Sequence, residues 1–179
     1  MKQACFSPDS RVRRSLTAGV LYLSSMFSYH YIFLTSPFPP LQLVMQIVRE
    51  EIEDNGIPAN RIVIGGFSQG CVMGLMTGLT AEYKFAGIVS LSGYVPLHNR
   101  FMNMVSDANR KTPIFWGHGD ADQVVSYAYG KQSVELLQAN KFNVKFNTYR
   151  NMGHGSSPQE VRDLLVFLKE SLPEKTPAL

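Results

Sequence analysis

The sequence predicts an α/β domain in three layers, a mostly parallel sheet between helices, and three observations carry that expectation. Four short apolar runs, 61–65, 85–91, 113–116 and 144–149, are too brief for helices and read as strands. The stretches 69–80, 126–140 and 159–172 have the length and apolar spacing of helices. The first three runs are predominantly apolar, as in strands buried on both faces, and the helices supply the connection of about a dozen residues that a parallel crossover needs.

A chain of 179 residues, 45% hydrophobic and 17% charged, suits one globular domain and is too apolar for disorder. Its expected division is an N-terminal segment 1–40, a core 41–172 and a frayed tail 173–179. The net charge of +3 is mild, and the basic residues are scattered apart from Arg11, Arg13 and Arg14, so no nucleic-acid-binding face is written here. Cys5 and Cys71 are too few for a disulfide framework and lack the paired spacing of a zinc site, which points to a reducing, cytoplasmic setting.

Along the chain, no charged residue occurs between Ser15 and Val48. Following three arginines, residues 16–34 have the outline of a membrane anchor, which needs about 20 predominantly apolar residues. Thr17, Ser24, Ser25, Ser28 and His30 interrupt that stretch. The favoured reading is two buried strands, 18–23 and 29–34, rich in aromatic and β-branched residues and closed by the breaker Ser36-Pro37-Phe38-Pro39-Pro40. Leu41, Val44, Met45, Val48 and Ile52 then recur at helical spacing, with Gly56 and Pro58 as the stop. From strand 61–65 onward, strands and helices alternate.

In an open parallel sheet, reactive groups gather just past the carboxyl ends of the strands. The strand 61–65 runs into Gly66-Phe67-Ser68-Gln69-Gly70, a G-x-S-x-G sequence in the strand-turn-helix setting of a nucleophile elbow. Glycines flank the serine because the turn is tight, and the hydroxyl of Ser68 is left projecting. A serine hydroxyl needs a base, and the base needs a carboxylate to hold one tautomer. After strand 113–116 comes His118-Gly119-Asp120-Ala121-Asp122, and after strand 144–149 comes Gly153-His154-Gly155. Ser, Asp and His at successive strand ends is the chain order of an α/β-hydrolase. Asp120 reads as a loop-capping residue, which leaves Asp122 to orient His154. His30 and His98 have no carboxylate-bearing motif beside them, and reading His118, Asp120 and Asp122 as a metal loop would leave the serine elbow unexplained.

At these residues the chain resembles the acyl-protein thioesterase and lysophospholipase family of small α/β-hydrolases. The likeness runs from about Val44 to Leu172, most plainly in residues 55–62, 65–70, Leu91-Ser92-Gly93, 118–122 and Gly153-His154. It implies Ser68 as nucleophile, Asp122 as orienting acid and His154 as general base. It also implies hydrolysis of thioesters on palmitoylated proteins, of lysophospholipids and of short carboxylic esters, without a cofactor or metal and with possible peripheral contact to membranes. The amide of Gln69, at the positive end of its helix, is the expected oxyanion donor. Tyr94, Val95, Pro96 and Leu97, with Phe101, Met102 and Met104, are expected to line an acyl channel or else to pack the core.

The chain departs from the family's pattern in its N-terminal third. A His-Gly-x-Gly-Asp loop, the family's second source of an oxyanion amide, has no counterpart, nor has a Trp-Phe-Asp segment near the substrate groove. Only residues 24–28 separate the first two expected strands, too few for a parallel crossover. The hydrolase sandwich is therefore expected to be incomplete at its N-terminal side. A catalytically impaired remnant that binds acyl chains or a partner is the alternative function. Cys71 stands where the family commonly has glycine, and Gln123 where it often has proline.

Overall fold

A computed structural model describes residues 20–25, 29–34, 41–96 and 98–172. Six strands lie in sequence order across one sheet: β1 (Val20–Ser25), β2 (Tyr29–Leu34), β3 (Ile62–Phe67), β4 (Gly87–Leu91), β5 (Ile114–Gly119) and β6 (Val144–Tyr149). Strands β2 to β6 are parallel and β1 pairs antiparallel with β2, from Val20 opposite Leu34 to Ser25 opposite Tyr29. Within the stretch weighed as an anchor, residues 20–25 and 29–34 form two paired strands, and residues 16–19 and 26–28 lie outside the described part. A hairpin replaces the crossover because too few residues separate the strands for the chain to cross over the sheet. Among the described residues no helix is long and apolar enough to cross a membrane.

The helices are α1 (Leu41–Arg49), α2 (Gln69–Thr80), the short α3 (His98–Phe101), α4 (Tyr127–Ala139) and α5 (Pro158–Ser171). The periodic run starting at Leu41 ends in a widened turn, Glu50–Asp54, closed by the Asn55 amide on the Glu50 carbonyl at 3.0 Å. Ser126 and Ser157 accept the amides of Tyr129 and Glu160 and so start α4 and α5 as N-caps.

Alternate side chains of each strand enter opposite layers, as the period of two requires. Ile62 and Ile64 pack with Val44 and Val48 of α1, while Ile88, Ile114 and Trp116 pack with Leu75 and Leu79 of α2 and Val134 and Leu137 of α4. Val63, Val89 and Phe115 face the other way onto Phe167 and Leu172. The result is the expected three-layer sandwich.

Strands β3 and β5 reach Phe67 and Gly119, beyond the expected ends at 65 and 116. Gly65 and Gly66 stay in register with Val89 and Ser90 although glycine gives no apolar signal. These silent extensions carry the chain up to Ser68 and to the loop that bears Asp122.

Candidate active site

Ser68 joins β3 to α2 with φ 56 and ψ −120, a left-handed conformation disfavoured for serine. Its surroundings hold it there. The Ser68 amide donates to the Leu91 carbonyl at 2.9 Å, and a methyl on Gly66 would fall on the carbonyl group of Gly70. The Ser68 side chain makes no cap bond at the start of α2, so its hydroxyl is available elsewhere. Cys71, at the family's glycine position, fits between α2 and β4 with Sγ 2.6 Å from Ser90 Oγ. It fills space that a side chain at Gly93 would need, and burial pushes its thiol up to about 12, which leaves it unreactive.

Asp122 and His154 arrive on loops after β5 and β6, and the loops are tied together. The amides of Asp120 and Ala121 donate to the carbonyls of Tyr149 and Met152, each at 3.1 Å, and the Asn151 amide donates to Asp120 Oδ1 at 2.6 Å. Asp120 is the capping residue its position suggested. The Asp122 side chain is fully buried, and its Oδ1 accepts the amides of Val124 at 2.9 Å and Val125 at 3.0 Å. Its Oδ2 accepts from His154 Nδ1 at 2.8 Å, and His154 Nε2 stands 2.9 Å from Ser68 Oγ, placed to accept the hydroxyl proton. The ring of Phe67, the variable residue of the elbow, lies 4.8 Å from the His154 ring and braces it.

Burial of Asp122 favours its neutral form, yet the bonds from His154, Val124 and Val125 outweigh this and hold the carboxyl below its usual range. Stability from this group is therefore present above its unfolded pKa and lost as pH falls through the lowered folded value.

Of the other expected site residues, Gln69 opens α2, with its backbone N–H at the positive end of that helix. Tyr94 stacks on Tyr129 at 5.1 Å, and the pair joins Gln123, Val124, Val125 and Ser126 around an open cleft of about 450 Å³ beside the Asp122 loop. Pro96 is half-buried and Leu97 lies outside the described residues. Val95 corrects the expectation of a lining residue. It is fully buried in the core with Phe101, and its amide donates to Ser133 Oγ at 3.0 Å, because the chain turns inward under α4. Met102 packs against the same core and Met104 is exposed.

Glu160 escaped the sequence reading. Ser157 and Glu160 have capping-box spacing, and the Glu160 amide does bond Ser157 Oγ at 3.1 Å. The carboxyl turns inward onto Gly117 of β5 and is 1% exposed. Burial, weakly opposed by the Ser157 backbone, pushes its pKa up to about 7. Between the unfolded value of 4.5 and that raised value the folded state holds the extra proton, so stability falls as pH rises across this interval. Glu160→Gln is expected to be flat there and more stable than wild type at pH 8 by about 2 to 3 kcal/mol, as measured by urea denaturation at pH 5 and pH 8.

The model of the phospholipase/carboxylesterase family matches residues 40–172. The chain belongs to this family. A relative from Neurospora crassa named acyl-protein thioesterase 1 is 50% identical over 130 residues, covering 72% of this chain and 53% of the relative. One from Debaryomyces hansenii with the same name is 40% identical over 132 residues, covering 73% of this chain and 57% of the relative. The crystal structure of Arabidopsis thaliana SOBER1 superposes with a TM-score of 0.70 at 27% identity, over 76% of this chain and 68% of that one. This family member spans little more than half the length of those two thioesterases.

Proposed function

We propose that the chain is a serine hydrolase that cleaves acyl thioesters of palmitoylated proteins, and lysophospholipid or short carboxylic esters, through Ser68, His154 and Asp122. The observation that carries this reading is the unbroken relay from Ser68 Oγ to His154 Nε2 at 2.9 Å and from His154 Nδ1 to Asp122 Oδ2 at 2.8 Å. The relatives named acyl-protein thioesterase support the substrate class.

In this mechanism His154 Nε2 takes the hydroxyl proton as Ser68 Oγ bonds to the acyl carbon, and Asp122 stabilises the imidazolium formed. The Gln69 amide donates to the oxyanion. Collapse breaks the C–S or C–O bond, and the leaving group carries away the proton from His154. Water then attacks the acyl-serine and gives a proton to His154, which passes it to Ser68 Oγ as the acyl–oxygen bond breaks, releasing the carboxylic acid and free Ser68. The cleft between Tyr94, Val124 and Tyr129 offers apolar surface for the acyl chain.

A second reading, a remnant of weak or no turnover, is favoured by the missing His-Gly-x-Gly-Asp sequence. Loss of one oxyanion donor costs about 100 to 1,000-fold in rate and leaves the triad intact. A fluorophosphonate probe separates the two readings. The hydrolase reading expects wild-type protein to be labelled and Ser68→Ala to show no labelling, whereas folded wild-type protein that resists the probe refutes it.

A further inference from the structure

His118 closes β5 and takes no part in the steps above. Its side chain is wholly buried. A Cβ on Gly130 of α4 would fall on its Nδ1 and Cε1, and Tyr127 meets it edge-on at 6.0 Å, so the ring cannot turn freely. Its Nε2 stands 2.9 Å from the Val125 carbonyl. A carbonyl only accepts, so Nε2 carries the proton, while Nδ1 is buried without a partner. The same Val125 gives its amide to Asp122 Oδ1, so both polar groups of this residue are engaged, one by the carboxylate and one by the ring. Nε2 also lies 3.5 Å from Asp122 Oδ2, the oxygen that His154 uses. That is too long for a full hydrogen bond, yet the N–H dipole still acts on the buried anion.

We propose that His118 is a positioning residue, whose Nε2–H fixes the Val125 carbonyl and faces Asp122 Oδ2, so that the carboxylate stays aimed at His154 Nδ1. This rests on the triad reading proposed above. The ring is anchored to the sheet, whereas Asp122 sits on a loop, so the contact transfers the rigidity of β5 to the loop. The titratable groups in contact with the unit are Asp122, His154 and, at the ring edge, Tyr127.

Two variants separate donation from space-filling. His118→Phe keeps a ring and loses the donor, whereas His118→Gln loses the ring and keeps a donor near the Nε2 position. The readouts are the His154 Nδ1 proton resonance by nuclear magnetic resonance, which needs no turnover, and kcat/KM against pH. Without the donor the Asp122 carboxylate turns from His154 Nδ1, so in His118→Phe the downfield Nδ1–H signal should weaken or vanish through exchange with water. Misplacement of Asp122 should also lower kcat/KM about tenfold or more. His118→Gln should stay near wild type in both. A Phe variant that matches wild type, or a folded Gln variant as impaired as Phe, overturns the proposal. Should the Phe variant not fold, the nitrogen shifts of His118 in wild-type protein decide, with the proton on Nε2 supporting the proposal and on Nδ1 refuting it. If wild type resists the fluorophosphonate probe, the triad reading fails alone, and the His154 Nδ1 proton signals still judge His118.

Discussion

Asp122→Asn should lower turnover by about 10⁴-fold in a protein that still folds. Oδ1 of residue 122 accepts two backbone amides, from Val124 and Val125, so an asparagine has to place its carbonyl oxygen there. Its NH₂ then takes the place of Oδ2 and points at His154 Nδ1 and His118 Nε2. Two donors cannot share that contact, so His154 must accept at Nδ1 and carry its proton on Nε2, where it can no longer take one from Ser68. Initial rates on a thioester substrate, with circular dichroism as the check on folding, measure the effect. Turnover within tenfold of wild type would mean that the relay does not drive the reaction.

Gly66→Ala should cost about 3 kcal/mol or more in stability and abolish probe labelling of Ser68. The added methyl meets the carbonyl group of Gly70 and lies 2.6 Å from the Cys71 amide nitrogen, all of it backbone at the start of α2. No rotamer change relieves such a contact, so β3 and α2 must move apart and the elbow opens. Gly155→Ala is the matched control, since its Cβ meets nothing within 4 Å. It is expected to stay within about 0.5 kcal/mol of wild type, measured by denaturant midpoint. Equal losses at the two positions would remove the steric explanation.

Much of the site was legible because its signals are local. Glycines beside Ser68 mark a tight turn, and Asp122 and His154 each follow an apolar strand, so type and chain order could be read without coordinates. The extensions of β3 to Phe67 and β5 to Gly119 were missed because glycine pairs in a sheet without an apolar side chain. For Val95 the sequence left channel lining and core packing open, and it lies in the core, a choice that depends on how α4 covers the chain after β4.

By itself the sequence determined the alternation of strands and helices and singled out Ser68, Asp122 and His154 as candidates, since periodicity and turn preferences act over a few neighbours. Only the tertiary structure decided that β1 and β2 form a hairpin, that Glu160 turns its carboxyl onto Gly117, and that His118 stands between Val125 and Asp122. Those facts follow from sheet register and from the packing of α4 and α5, which bring together residues with no local relation along the chain.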